Sequence, residues 1–196
     1  MFKKILLALD GSELSRRAIP YVGVIAREDS SEVCVLEVID SLDVVRDELG
    51  NGADESALAE RAAALHKLQV EEATEDLDRA RTDLEAAGAH SVVTLIREGD
   101  PAETIVRTAE EIGSDAIAIG ARGHSGMARE EIGSVAESVV LHAPGIAVLI
   151  VGPRRAGTHG PTVVDMRTIS PVAEKAPSGE PQESREEPTG QRDLPS

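Results

Sequence analysis

Five short apolar segments, separated by segments with helical periodicity, constrain the fold of this 196-residue chain more than any other feature. The first of them, ILLAL at residues 5–9, is a continuous apolar run that stops at Asp10-Gly11-Ser12. A run of this length without polar alternation is typical of a strand that is buried on both faces. Such strands alternating with helices predict a doubly wound α/β fold, in which helices cover both faces of a five-stranded parallel sheet.

The other four strands are expected at residues 33–39, 91–97, 116–119 and 147–151. Helices are expected between them at residues 14–25, 53–87, 102–112 and 134–142. We expect Ser12 to cap the first helix, Pro20 to kink it and Gly88 to end the second helix. Residues 40–52 have no clear period and are predicted to be a variable loop.

The segment at residues 53–87 is rich in Ala, Glu, Leu and Arg and contains no proline, which favours one long helix. A coiled coil is the alternative interpretation of this segment. Its leucines, at positions 58, 65, 68, 77 and 84, do not keep a steady heptad. A helix that packs against the sheet is therefore the preferred interpretation.

Composition argues against several classes of function. The net charge of −16 repels phosphate backbones and anionic membrane surfaces. Phe2 and Tyr21 are the only Phe, Tyr or Trp residues, so the chain has no aromatic surface on which bases could stack. No apolar run approaches the roughly 20 residues of a membrane span. The single cysteine, Cys34, lies within an apolar strand and is predicted to be a buried structural thiol, which suits a reducing, cytoplasmic compartment. We expect neither nucleic-acid nor membrane partners.

The composition changes near residue 153. Seven of the ten prolines lie in the last 44 residues, together with many Ser, Glu, Thr and Gly residues. Apolar periodicity is lost there apart from the short run Thr162-Val163-Val164. We therefore predict one folded domain at residues 1–152, followed by a disordered tail at residues 153–196.

Two loops carry the candidate binding chemistry. The first is Asp10-Gly11-Ser12, and the second runs from Gly120 through Gly123 to Gly133-Ser134. Glycines allow a ligand to approach the backbone closely, and a helix that starts after Gly133 presents free N–H groups to an anion. Because open α/β sheets bind ligands at the carboxyl ends of their strands, these loops predict a phosphate-binding site. Ordinary turns would also explain the glycines.

The spacing Gly120-x2-Gly123-x9-Gly133-Ser134 resembles the nucleotide loop of the ATP-binding universal stress proteins (the UspA family). The resemblance extends to Asp10 after the first strand, the Gly99-Asp100-Pro101 turn and the Pro144 turn, and covers about residues 1–152. It implies a Rossmann-like fold, similar to adenine nucleotide alpha hydrolases, with strand order 3-2-1-4-5. It also implies a homodimer that pairs through the last strand. One departure is Ala147, where relatives often have proline.

The resemblance implies a role in the stress response and ATP as the ligand, with Mg²⁺ accompanying its phosphates. Matching positions with the family implies that Leu9 and Asp10 line the adenine and ribose side of the site. The backbone at Val38 would contact the base, and Ile119 would flank the nucleotide. The ribose and phosphates would be held by residues of the second loop and of the helix that follows it, namely Gly120, Gly123, Gly133, Ser134, Val135 and Ala136. Arg122, His124 and Arg129 could screen phosphate charge, although each is more often a solvated loop residue.

Other interpretations remain open at this point. Asp10 could be a helix-capping acid and Ser134 an ordinary first-turn residue. A haloacid-dehalogenase-like phosphatase would need its nucleophilic acid at position 8, which is Ala8, and a Walker A lysine is missing. His66, His90, His142 and His159 share no metal-ligand spacing with each other or with Cys34, so no metal site is predicted. No residue is assigned a catalytic role. We expect at most slow ATP hydrolysis. A protein of the same fold that binds partners without nucleotide is the alternative.

Overall fold

The computed structural model describes residues 2–50, 55–121 and 132–152. The described part contains five strands, β1(Lys4–Leu9), β2(Glu32–Ile39), β3(Ser91–Glu98), β4(Ala116–Gly120) and β5(Ala147–Val151). It also contains six helices, α1(Glu13–Arg16), α2(Ile19–Asp29), α3(Leu42–Glu48), α4(Glu55–Ala86), α5(Pro101–Ile112) and α6(Ser134–His142). Residues 153–196, for which a disordered tail was predicted, lie outside the described ranges.

The five strands form one sheet in the order β3-β2-β1-β4-β5. Each neighbouring pair is parallel, so the predicted fold class and strand order are confirmed. In this order the chain first builds outward from β1 through β2 to β3, and then returns to the other side of β1 to form β4 and β5. The order therefore reverses between β1 and β4.

Two apolar cores flank the sheet because alternate residues of each strand face opposite sides. On one face Leu7 and Val35 pack with residues of α2 and α4, including Leu77 and Leu84. On the other face Leu6, Leu36, Ile117 and Val148 pack with residues of α5 and α6, including Ile105 and Val139. The central strands are buried on both faces, which explains their continuous apolar sequences.

The predicted first helix is wrong in one respect, because the chain forms two helices where one kinked helix was expected. α1 ends at Arg16 and α2 begins at Ile19, which places Pro20 in the first turn of α2. A first-turn residue has no intrahelical acceptor for its N–H group, so proline starts a helix there without the loss of a hydrogen bond. The expected N-cap is confirmed, since the Ser12 side chain accepts a hydrogen bond from the Ser15 N–H.

The loop predicted at residues 40–52 is also wrong, because residues 42–48 form α3. Ser41 caps this helix by accepting a hydrogen bond from the Val44 N–H, and Val45 is its buried residue.

The long helix α4 is confirmed from Glu55 onward, and its predicted start at Ala53 lies outside the described residues. It packs on the sheet through Leu77, Ala80 and Leu84, as the non-coiled-coil interpretation required. Gly88, with φ of +103°, follows its end.

The other predicted elements agree with the structure. α5 starts at Pro101 and is capped by Asp100, whose side chain accepts a hydrogen bond from the Glu103 N–H. Cys34 is 3% exposed, which confirms the predicted buried thiol, and burial raises its pKa to about 11. Within the ranges that the structure describes, no helix is long and apolar enough to cross a bilayer.

Candidate functional site

A cavity of about 230 Å³ lies at the carboxyl ends of β1 and β4, where the strand order reverses. The loops that leave β1 and β4 lead to helices on opposite faces of the sheet, which leaves a crevice between them. The cavity combines residues from β1, β2, β4 and three helices. Its lining consists of Ala8, Leu9, Asp10, Ser15, Val38, Pro101, Ile105, Ile119, Gly120, Gly133, Ser134, Val135 and Ala136.

The structure brings nine of the ten sequence-predicted site residues together in this lining. They are Leu9, Asp10, Val38, Ile119, Gly120, Gly133, Ser134, Val135 and Ala136. Gly123 and the three loop residues Arg122, His124 and Arg129 lie outside the described residues. Residues far apart in the sequence thus converge on the place where both the loop pattern and the resemblance positioned a ligand.

Four lining residues were missed by the sequence analysis: Ala8, Ser15, Pro101 and Ile105. Ser15 is 3% exposed and follows the predicted cap Ser12 by three residues. Pro101 and Ile105 belong to the first turns of α5, which lies over the cavity side of the sheet. The Gly99-Asp100-Pro101 turn was a signal for this helix start, but the sequence does not show how α5 lies on the sheet.

Hydrogen bonds fix the loop after β1. Asp10 Oδ1 accepts hydrogen bonds from the Ser12 N–H (3.1 Å) and from the Ser12 hydroxyl (2.6 Å). The Ser15 N–H in turn donates to Ser12 Oγ (3.1 Å), and Ser15 Oγ donates to the Ser12 carbonyl (2.9 Å). Ser12 is therefore the N-cap of α1, and Asp10 supports this helix start by accepting both hydrogen bonds from Ser12. The network holds the Asp10 carboxylate at the cavity with a defined orientation.

The first turn of α6 also borders the cavity. Its N-cap residue Gly133 makes no side-chain cap hydrogen bond, in contrast to the side-chain caps of α1, α3 and α5. The Gly133 N–H donates to the Ala121 carbonyl (2.8 Å), which ties the helix start to the end of β4. The first N–H groups of a helix have no intrahelical acceptor and carry the positive end of the helix dipole. The start of α6, at residues 134–136, therefore borders the cavity with the end of the helix that favours negative charge.

The chemical character of the lining is uneven. Val38, Ile105 and Ile119 provide an apolar wall suited to a flat, weakly polar ring, whereas Asp10, Ser15 and the start of α6 provide polar groups. Asp10 is the only ionisable residue among the lining residues that the structure describes. In the same described ranges, no group of three or more His, Cys, Asp or Glu residues is arranged to hold a metal ion.

A family model and individual relatives both match this chain, and they point to the same protein family. The family model described as the universal stress protein family matches residues 1–152. Universal stress protein MJ0531 of Methanocaldococcus jannaschii is 32% identical over 155 residues, which are 79% of this chain and 85% of that protein. Universal stress protein MJ0577 of the same organism is 31% identical over 145 residues, 71% of this chain and 89% of that protein.

Solved structures share the fold. The structure of MJ0577, described as a hypothetical protein, has a TM-score of 0.66 and 29% identity, and the match covers 80% of this chain and 99% of that chain. A universal stress protein in complex with cAMP has a TM-score of 0.55 and 22% identity, with 77% of this chain and 97% of that chain covered. At 22% identity the likeness is one of fold.

Proposed function

The chain belongs to the universal stress protein family, and from this premise we propose that it binds an adenine nucleotide, with ATP as the ligand, in the β1/β4 cavity. The observation that carries the proposal is the convergence of an apolar wall, the Asp10 carboxylate and the uncapped start of α6 on one cavity. Each of these features matches a different part of a nucleotide. The cAMP-bound neighbour has the same fold, which is consistent with a site of this kind.

The base would lie against Val38, Ile105 and Ile119, with the Val38 backbone as its polar contact. A carboxylate is an acceptor for ribose hydroxyl groups, and Asp10 is held in place for this role by Ser12. The phosphates would lie at the start of α6, where backbone N–H groups and the helix dipole favour negative charge. Mg²⁺ would enter with the phosphates and neutralise part of their charge, since no protein cage for it is found in the described ranges.

We further propose that the protein works as a nucleotide-dependent regulator in the cytoplasm, and as a homodimer formed through β5. Fast phosphoryl transfer requires cations and a group that positions the attacking water. The described lining offers one acid and no lysine or arginine. We therefore expect hydrolysis well below about 1 per second. A nucleotide that stays bound can shift a population of conformers, which suits a role in the stress response.

The test is calorimetric titration of ATP with Mg²⁺ into wild-type protein and Gly133→Val. Gly133 has φ of −68° and ψ of 153°, an extended conformation that any residue adopts, so valine adds bulk at the cavity without backbone strain. We expect the substitution to weaken ATP binding by at least about tenfold, which corresponds to about 1.4 kcal/mol.

The matched control is Leu141→Ala, which lies on the same helix with 70% of its surface exposed and outside the cavity lining. It should bind ATP as the wild type does. Equal affinity in Gly133→Val and wild type would contradict the proposed location. Failure of the wild type to bind any adenine nucleotide would contradict the function itself and favour a partner-binding protein of the same fold.

A further inference from the structure

An acid lies buried in the sheet next to the proposed nucleotide site. Glu37, near the carboxyl end of β2, is 9% exposed. It shares a face of the strand with Val33 and Val35, which pack against the α4 residues Leu77 and Leu84. Its carboxylate oxygen Oε2 is buried and has no hydrogen-bond partner within the described part of the chain. A buried carboxylate without compensating hydrogen bonds is costly, so its presence in a core strand calls for a role.

Three charged groups from neighbouring parts of the chain act electrostatically on Glu37. Asp10 follows Leu9, the β1 residue that is paired in register with Glu37, and Asp76 of α4 is the second acid whose charge acts on it. Arg16 of α1 is the opposing cation, and its guanidinium donates to the Asp76 carbonyl (3.4 Å) and pairs with Asp83 Oδ2 (2.7 Å). On β3 the registered neighbour is the uncharged Ile96.

Burial and the two neighbouring carboxylates outweigh Arg16 at this position. Burial first, then the negative charges of Asp76 and Asp10, raise the pKa of Glu37 to about 7, while Arg16 acts in the opposite direction. Asp76 is also paired with Arg79, which offsets part of the negative charge that Asp76 presents to Glu37. Glu37 therefore titrates near neutral pH, where an ordinary glutamate is fully ionised.

Residues beside Glu37, along its own strand and on the neighbouring strand, line the cavity, whereas the Glu37 side chain itself lies on the face of the sheet that packs against α4. The next residue, Val38, lines the cavity, and so do Leu9 and Asp10 on the neighbouring strand. A nucleotide in the cavity would displace water from the ends of β1 and β2 and would bring negative phosphates into the same region. Both changes disfavour an ionised carboxylate.

We propose that Glu37 couples nucleotide affinity to pH, so that an adenine nucleotide binds more tightly when the Glu37 carboxyl is protonated than when it is ionised. This inference rests on the nucleotide binding proposed above. By linkage, a ligand that favours the protonated acid must draw protons from solution as it binds. Affinity is then highest below neutral pH and falls as the pH rises through neutrality.

The experiment is calorimetric titration of the full chain with ATP and Mg²⁺ at pH 6 and pH 8, in buffers of different ionisation enthalpy so that proton uptake is counted. The wild type should bind about tenfold more weakly at pH 8 and take up a fraction of a proton near pH 7. The terminal phosphate of ATP also titrates, with a pKa of about 6 for a phosphomonoester. The phosphate contributes the same pH dependence to ATP binding in every variant. The difference between wild type and Glu37→Gln therefore isolates the part that comes from Glu37, and this part should be absent in Glu37→Gln.

The matched control is Glu32→Gln, on the same strand at the end far from the cavity, where Glu32 is partly exposed and paired with Lys4 at 3.2 Å. It should keep the wild-type pH dependence. Equal pH dependence in wild type and Glu37→Gln, with binding intact, would overturn the inference and leave the proposed function standing. If Glu37→Gln failed to fold, absence of proton uptake by the wild type beyond that of the phosphate would overturn it equally. Absence of binding at both pH values would instead contradict the proposed function.

Discussion

At the scale of single residues, Glu37 also makes the stability of the ligand-free protein depend on pH. Its pKa is about 7 in the folded state against an ordinary 4.5, so between these values the folded state holds more protons than the unfolded state. Stability should therefore fall as the pH rises through this window and level off above pH 7. The full difference is about 3 kcal/mol, and Glu37→Gln should be more stable than the wild type at pH 8 by an amount of this order.

Urea unfolding at pH 5 and pH 8 measures this effect. Asp115 titrates in another range, because the Lys3 and Lys4 N–H groups donate to its carboxylate (2.7 and 3.0 Å) and lower its pKa. The stability that Asp115 contributes is present above its ordinary pKa of 3.8 and is lost as the pH falls further, below the window of Glu37. A Glu37→Gln variant with the same pH profile as the wild type would show that Glu37 is ionised without penalty.

Sequence alone identified some of the important residues and missed others for physical reasons. Asp10 and Gly133 were found because an acid and a glycine at the ends of buried elements are chemically unusual. Pro101 and Ile105 were missed since their place in the lining depends on how α5 packs on the sheet. Glu37 was missed although it carries a signal, namely an acid inside the apolar run VCVLEVI of a strand buried on both faces.

At the scale of elements, the contact between α2 and α4 depends on one glycine. A Cβ atom on Gly23 would overlap the Cβ of Ala87, which follows the end of α4. Gly23→Ala should therefore destabilise the protein by about 1–2 kcal/mol, even though alanine is favoured over glycine in a helix by about 1 kcal/mol. The measurement is the free energy of unfolding in urea.

Two further variants test this cause. Val24→Ala lies on the same helix at a 48% exposed position and should change stability by less than about 0.5 kcal/mol. Ala87→Gly introduced together with Gly23→Ala removes the overlapping methyl group and should restore part of the loss. If Gly23→Ala were more stable than the wild type, helix propensity would outweigh the close approach of the two helices.

Whether an element was predicted depends on how much apolar surface it buries. The four helices with a repeated apolar face were anticipated, although the first proved to be divided at Pro20. The helix α3 was missed because it is seven residues long and buries only Val45, so its sequence has no periodicity to detect. Its cap at Ser41 was the remaining signal, and a serine alone is equally common in turns.

At the scale of the whole molecule, alternation of strands and helices fixes a parallel sheet but leaves several strand orders possible. The order β3-β2-β1-β4-β5 was available from the family resemblance, and the structure confirms it. The sheet then has β3 and β5 at its edges. An edge strand presents unpaired backbone groups, which either remain solvated or pair with another chain.

We predict a homodimer in which two copies pair through β5. The strand is short and apolar, with Ala147 and Ile150 partly exposed and no charged residue in its sequence AVLIV. Light scattering at micromolar concentration should give twice the chain mass of 20.7 kDa. Ile150→Lys places a charge at this edge and should give the monomer mass. The neighbouring strand position Val148 is not suitable for this test, because its side chain is only 4% exposed and its replacement would disrupt the core.

The charge of the chain supplies an independent check on this interface. Two copies that each carry a net charge of −16 repel one another, so association must be driven by apolar contact and backbone pairing. Added KCl screens the repulsion and should strengthen the dimer, whereas a dimer held by ion pairs would weaken. Val24→Lys, at an exposed position on α2, serves as the charge-matched control and should remain dimeric. A monomer mass for the wild type, or a dimer that persists in Ile150→Lys, would reject pairing through β5.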